Sequence, residues 1–353
     1  MEPLRPLVAD DPEWTRLAQY LRERLPASGV TADLTVPMDI AQFPGGHSNL
    51  TYLVRFGSFE LVVRRPPAGP LPPKAHDIAR EHAWLAALNP VFPLAPRAYL
   101  VCQDLNVIGA VFCAMERRRG LVVRRDEPPA LQSPESRRRV SEGIVDTLAS
   151  LHAIDVTGGA LASLGKPVGF TTRQVNGWTE RWERSRTTPV KDLDSVAAWL
   201  ATHVPPDPAT ASVVHGDFKL DNVMLDEQDP ARLVAVFDWE MAALGDSLVD
   251  LGILLAYWGP TAPPGHDDDL STVTDRPGWL TRDAIVDRYA RRSGRDVSNI
   301  LFYEVFALFK VAIVVQQLFA RYARGETKDE RYARFDARVA YLGGRAAGCI
   351  SAR

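Results

Sequence analysis

The stretch His215-Gly216-Asp217-Phe218-Lys219-Leu220-Asp221-Asn222 follows directly on a short β-rich run, Ser212 to Val214. It places an acid on a loop and an amide five positions later. Moving a phosphoryl group to a hydroxyl asks a protein for little covalent chemistry. It needs a positioned hydroxyl, metal-held phosphates and charge stabilisation. Asp217 can accept the proton of an attacking hydroxyl, and Asn222 can hold a magnesium ion through its amide oxygen. A second carboxylate, Asp238, follows the apolar run Leu233 to Phe237. A hairpin turning over Asp226 to Arg232 would return it beside Asn222. One carboxylate and one amide oxygen, with room for water and phosphate oxygens, suit a hard ion such as Mg²⁺. His215 reads instead as a structural histidine, and Asp221, Asp226 and Asp246 as acids of turns and caps.

These residues need a scaffold, and the rest of the chain supplies two kinds. The first third is β-rich. Leu50 to Phe56 and Phe59 to Val63 flank Gly57-Ser58, the pattern of a tight hairpin. Ala98 to Ala114 reads as two more strands around Asn106, and Pro66 to Pro73 as an extended loop. Apolar residues at Trp14, Leu17, Leu21 and Leu25 give a helix over 11–25, and 75–88 reads as another. The expectation is a small antiparallel sheet with one long helix packed on it. From Gly120 onward helical periodicity dominates. In 137–152 it places Val140, Ile144, Val145, Leu148 and Leu151 on one side. Late helices are expected over 282–293, 298–324 and 330–347, with a Pro-, Gly- and Asp-rich loop from Gly259 to Pro277.

Composition limits the function classes. The 353 residues are 46% hydrophobic and 24% charged, with Lys+Arg 41 against Asp+Glu 44 and a net charge of −3. So balanced a chain has no general pull toward nucleic acid or an anionic membrane, and the short runs at Arg117 and Arg137 read as solvated faces. The most apolar segment, Leu301 to Ala320, is broken by Glu304, Lys310, Gln316 and Gln317, which argues for a buried helix rather than a membrane span. Cys102, Cys113 and Cys349 are widely spaced and show no metal pattern, and the N-terminus has no apolar leader-like region. A cytoplasmic protein is expected, its oligomeric state open.

In this order the motifs resemble those of aminoglycoside phosphotransferases and related small-molecule kinases. The segment His215 to Asn222 resembles their catalytic loop. Asp238-Trp239-Glu240 resembles their metal-binding motif, and Gly245-Asp246-Ser247-Leu248-Val249-Asp250-Leu251 a helix start that usually has proline where Ser247 stands. The resemblance runs from about Phe43 to Ala347. It implies an α+β, protein-kinase-like bilobal fold, with a nucleotide-binding lobe over 1–116 and a helical catalytic and substrate lobe over 117–353. It also implies ATP and Mg²⁺ as cofactors, a small-molecule hydroxyl as acceptor, Asp217 as base, Asn222 and Asp238 as metal ligands, and Asp250 as a structural carboxylate.

On the ATP side, Gly45, Gly46, Ser48 and Asn49 resemble the nucleotide loop that leads into the first hairpin strand. Arg64 resembles the phosphate-binding cation and Glu81 its helix partner, although Arg65 is an alternative to Arg64. Met115, Glu116 and Arg117 resemble the hinge that meets adenine; ATP and GTP are not separable there. The short spacing from Asp238 to Asp250 leaves no room for an activation loop and peptide platform, which disfavours a protein kinase.

Within the superfamily the likeness is to kinase domains associated with acyl-CoA dehydrogenases. It is carried by Arg64-Arg65-Pro66-Pro67, by Ala75-His76-Asp77-Ile78-Ala79-Arg80-Glu81, and by Phe306-Ala307-Leu308-Phe309-Lys310. That branch implies a hydroxyacyl substrate such as a 4-hydroxyacyl-CoA. An aminoglycoside is the rival, for which His266-Asp267-Asp268-Asp269 would give an acidic pocket; the plainer reading is a solvated loop. A nucleotide-binding pseudokinase is the alternative of another class.

Overall fold

A computed structural model of the chain describes residues 4–7, 11–44, 49–67, 77–124, 126–265 and 273–352. Gly45, Gly46 and Ser48, the helix start Ala75-His76 and the acidic run His266 to Asp269 lie outside them. The chain divides into two compact units, one of 1–119 with 235–242, the other of 120–234 with 243–353. The boundary therefore falls three residues after the one expected, and the short segment carrying Asp238 belongs with the first unit. The reason is local: the Val236 amide donates to the Leu94 carbonyl at 2.8 Å, and Trp239 packs edge-on against Phe92.

The first unit is built on a six-stranded antiparallel sheet. In chain order its strands are β1 (Arg5–Pro6), β2 (Met38–Gln42), β3 (Leu50–Phe56), β4 (Phe59–Arg65), β5 (Ala98–Cys102) and β6 (Phe112–Glu116). In space they run β1-β2-β3-β4-β6-β5. Gly57 takes φ +57° in the two-residue connection, and Phe56 pairs with Phe59, so the expected β3–β4 hairpin is formed. Between β5 and β6 lies a helical turn, Leu105–Ile108, where Asp104 caps the amide of Asn106.

Strand alternation decides where β4 sends its side chains. Leu61 and Val63 are buried in one core with Trp14, Leu17, Leu21, Val54 and Phe112. That core seats the helix Pro12–Arg24. Arg65 shares the parity of Leu61 and Val63, and its guanidinium lies 5.5 Å from the Trp14 ring centroid and 5.4 Å from that of Tyr52. Arg64 has the opposite parity and meets Glu81 on a second helix, Ile78–Leu88. Two helices, not the one expected, therefore serve this sheet.

The second unit is mostly helical. Pro134–His152 begins at its Ser133 cap and buries Val140, Ile144, Val145, Leu148 and Leu151, as the periodicity requires. Phe170–Ser185, Lys191–Thr202, Leu248–Ala256, Arg282–Ser293, Ile300–Ala323 and Phe335–Ser351 follow. Ile300–Ala323 is long and apolar enough to cross a membrane, yet it is mostly buried inside the protein. Gly252 lets Leu248–Ala256 lie close against it. A Cβ there would stand 2.3 Å from the Tyr303 carbonyl oxygen. Four further short strands lie among the described residues: β7 (Ser212–Val214), β8 (Val223–Leu225), β9 (Leu233–Val236), whose last two residues fall in the first unit, and β10 (Ala243–Gly245). β7 pairs with β10 and β8 with β9, so the hairpin before Asp238 exists. Asp226 accepts the amides of Gln228 and Asp229 at its turn.

Candidate active site

Where the segment His215 to Asn222 leaves β7, side chains hold several backbone groups between His215 and Asp217. Asp250, fully buried on Leu248–Ala256, accepts the His215 amide at 2.6 Å and the Gly216 amide at 2.7 Å through its two oxygens. Burial alone would raise the Asp250 carboxyl, but the hydrogen bond from His152 and the loop amide outweigh it and hold it below the usual range. His152 is itself buried, which lowers its pKa and favours the neutral ring. Its Nε2 lies 3.2 Å from Asp250 and its Nδ1 2.7 Å from the Tyr289 hydroxyl. The consistent tautomer is Nε2–H toward Asp250, with Tyr289 donating to Nδ1.

The carbonyl side of the loop is held as well. Lys310, from Ile300–Ala323, donates to the Gly216 carbonyl. The Asp217 amide donates to His215 Nδ1 at 3.2 Å, and Asn222 Nδ2 donates to the Asp217 carbonyl at 2.9 Å. Gly216 takes φ +84°, a conformation that glycine alone adopts without strain. The N–H and C=O of both Gly216 and Asp217 thus have partners, so the carboxylate of Asp217 is aimed rather than free to wander.

That carboxylate uses one oxygen. Oδ2 accepts from Lys219 Nζ at 2.8 Å and from Asn222 Nδ2 at 2.9 Å, which leaves Oδ1 for a hydroxyl proton. Lys219 is in extended backbone at φ −155°, so it lies on the same side of the chain as Asp217, while Phe218 is buried on the other. Burial opposes the Lys219 charge, but Asp217 and its neighbours more than reverse this and hold its pKa well above the usual amine value. Its Nζ also sits 4.7 Å from the Tyr257 ring centroid. Because the amide nitrogen of Asn222 faces Asp217, its Oδ1 is turned away and can serve as a metal ligand.

In the first unit, Arg64 is a hub. Nη1 donates to Glu81 at 2.6 Å, and Nη2 to Asp238 at 2.6 Å and Glu240 at 3.5 Å. One guanidinium thus faces three carboxylates. Burial first, then Asp238 and Glu240 against the pull of Arg64, push Glu81 up to about 7. Among the described residues no three His, Cys, Asp or Glu side chains are arranged to hold a metal ion, so a hard cation here would need phosphate or water oxygens beside Asp238. Asp238 is held at φ 66° and ψ 58°, the one non-glycine residue with positive φ among those described. Such backbone costs on the order of 1–2 kcal/mol per residue. Arg80 anchors the same turn by donating to the carbonyls of Glu240 and Ala242.

The predicted nucleotide residues sort as follows. Asn49 is buried and donates to Glu240 at 3.0 Å, which ties the residue before β3 to the acidic turn. Gly45, Gly46 and Ser48 are not described. Met115 pairs with Val62 on one side and Ala98 on the other, and the Glu116 amide already donates to the Arg97 carbonyl at 2.8 Å. Arg117 lies 5.0 Å from the Phe43 ring centroid. Lys219 and Lys310 have no role in the sequence reading, and Glu240 enters it only within the Asp238-Trp239-Glu240 motif. Lys219 could have been found from its i+2 spacing to Asp217, and Lys310 as a charge in the apolar middle of its helix.

An acid-and-amide loop, a carboxylate cluster around an arginine on the sheet, and two units of these kinds define a protein-kinase-like phosphotransferase. The phosphotransferase enzyme family matches residues 39–285, and the chain belongs to that family. It is 34% identical over 318 residues to the rat protein named acyl-CoA dehydrogenase family member 11, covering 89% of this chain and 40% of the relative. The chain therefore spans less than half the length of that relative. Among solved structures, a Ralstonia eutropha protein provisionally assigned as an aminoglycoside phosphotransferase is 27% identical, with TM-score 0.78, covering 95% of this chain and 98% of that one. A Cryptosporidium parvum choline kinase shares the fold at 11% identity, TM-score 0.62 and coverages of 95% and 98%. The chain is a phosphotransferase of the small-molecule kinase class.

Proposed function

We propose that the chain transfers the γ-phosphate of ATP to the hydroxyl of a small molecule, with Asp217 as the base. The observation that carries this reading is the Asp217 carboxylate itself, with Oδ2 fixed by Lys219 and Asn222 and Oδ1 left open. The acceptor hydroxyl gives its proton to Oδ1 while its oxygen bonds to the γ-phosphorus, and the bond to the β-phosphate oxygen breaks to leave ADP. Lys219 offsets negative charge beside the base. Mg²⁺, with Asn222 and Asp238 as its protein ligands, would neutralise phosphate charge when bound. Arg64, braced by Glu81, is assigned to the phosphates, since Arg65 belongs to the sheet's other face. Gly45, Gly46, Ser48 and Asn49 are assigned to the phosphate loop, and Met115 to Arg117 to the adenine edge.

For the acceptor, we infer a hydroxyacyl-CoA. The base has Lys219 beside it, and Lys310 is a further cation whose charge is coupled to Asp217. A polycationic aminoglycoside would meet like charge, whereas a phosphate-bearing acceptor would be attracted. The name of the rat relative refers to acyl-CoA chemistry, which is compatible. We place the activity in the cytoplasm, in keeping with three free cysteines. The test is transfer of labelled γ-phosphate from Mg-ATP to a panel of hydroxyacyl-CoAs, aminoglycosides, choline and homoserine. Labelling of a hydroxyacyl-CoA is expected; preferential labelling of an aminoglycoside would overturn the acceptor assignment.

A further inference from the structure

The mechanism above gives no positioning role to a buried charge beside the catalytic loop, Lys310. Lys310 sits in the middle of Ile300–Ala323, 5% exposed, with buried Phe306, Phe309, Val311 and Ile313 as neighbours along the helix. An amine in such surroundings is costly and is retained only where it meets a partner. Its partner is the Gly216 carbonyl, one residue before Asp217. The groups facing Lys310 come from every side. Asp217 and Asp250 favour its charge, Lys219 and Arg181 oppose it, and the Trp178 ring lies 5.3 Å from its nitrogen.

Gly216 is thus gripped at both ends by opposite charges. Asp250 holds its N–H and Lys310 its C=O. The two come from helices that Gly252 allows to pack closely. The Gly216 carbonyl belongs to the same peptide as the Asp217 amide, so fixing it fixes the plane from which the Asp217 side chain departs.

We propose that Lys310, as an ammonium ion, is a positioning residue of the catalytic loop, holding the peptide between Gly216 and Asp217 so that the carboxylate stays aimed. The assignment rests on the phosphoryl-transfer reading. A purely structural role would ask only for a hydrogen-bond donor, which glutamine also supplies. The charge matters because burial, above all, brings the Lys310 pKa down to about 8. A lysine whose folded pKa is lowered loses its proton within the working range, and the grip on the carbonyl weakens as pH rises through that value.

The experiment compares wild type with Lys310→Gln and Lys310→Met. Steady-state ADP release is measured from Mg-ATP alone, with water as acceptor, from pH 6.5 to 9.5. Amide hydrogen exchange of the segment 215–217 is measured at pH 7. Wild-type kcat is expected to decline as pH passes about 8. Lys310→Gln should be flat across that range, with kcat about 10-fold lower below it and KM for ATP unchanged; Lys310→Met should lose about 10²-fold. Both should exchange the loop amides faster than wild type.

A Lys310→Gln enzyme with wild-type kcat, or with the same alkaline decline, would overturn the proposal. If Lys310→Met fails to fold, the glutamine variant and the wild-type profile still decide. If the wild type releases no ADP with water or with any hydroxyl compound of the panel, it is the phosphoryl-transfer reading that fails. Lys310 is then judged on exchange alone, where unchanged protection in Lys310→Gln overturns its positioning role.

Discussion

Replacing Asp250 by asparagine keeps the side-chain shape and removes one charge and one acceptor. Asp250 now takes the His215 amide at 2.6 Å on Oδ2 and the Gly216 amide at 2.7 Å on Oδ1, with His152 at 3.2 Å, all fully buried. Hydrogen bonds to a charged group contribute about 1.5–3 kcal/mol each. Asparagine can accept one of the two amides as a neutral group, but its NH₂ must then face the other N–H, or face His152 if flipped. One buried donor is left unsatisfied, at about 1–3 kcal/mol, and the remaining bond loses its charge assistance. The sum points to a loss of roughly 3 kcal/mol, nearly all of it in the second unit.

Urea unfolding followed by tryptophan fluorescence measures that loss, and hydrogen exchange at 215–217 shows whether it is centred on the loop. The pH dependence carries a sign as well. A carboxyl held low in the folded state stabilises above its unfolded pKa, and that stabilisation is lost as pH falls through the folded value. The gap between wild type and Asp250→Asn should therefore narrow in acid. A loss under about 1 kcal/mol, or a gap that does not change between pH 7 and pH 3, would refute the account of how the loop is held.

Two further outcomes follow from the same geometry. Glu81 is an acid raised from 4.5 to about 7, so the stability it gives is full below the unfolded value and is lost as pH climbs toward 7. That difference amounts to about 3 kcal/mol, and Glu81→Gln, measured in chelator, should gain on wild type by up to that amount between pH 5 and pH 8. A gap independent of pH would contradict the burial argument. Lys219→Met should lower kcat about 10²-fold with KM for ATP within a few-fold of wild type, read by phosphate transfer; kcat within threefold would show that the ion pair with Asp217 is not used.

Much of this was legible in the chain because the signals were local. The β3–β4 hairpin was read from Gly57-Ser58 between two β-rich runs, and the buried face of Pro134–His152 from its 3.6-residue period. The choice between Arg64 and Arg65 could not be made from their identity, since both are arginines at the end of one strand. It needed the register of β4, which places Arg65 over Trp14 and Arg64 on Glu81. The second helix on the sheet and the allegiance of 235–242 are tertiary facts that no short pattern encodes. Glu240 and Lys219 were visible as residues but not as partners, because their meaning depends on backbone direction at Asp238 and Phe218. Lys310 stands in the sequence as an interruption of an apolar run and as the end of Phe306-Ala307-Leu308-Phe309-Lys310, with no partner indicated. Its partner is nearly a hundred residues away in sequence, and only helix packing reveals it.

The central claim is that Asp217 accepts the proton of the acceptor hydroxyl. Asp217→Asn keeps the side-chain shape and can still meet Asn222 and Lys219, but its amide is no base. Transfer of labelled γ-phosphate from Mg-ATP to the best acceptor of the panel, measured beside Mg-ATP affinity, tests it directly. The account predicts that kcat falls by at least about 10²-fold with affinity within a few-fold of wild type. Turnover at the wild-type rate in Asp217→Asn would contradict it.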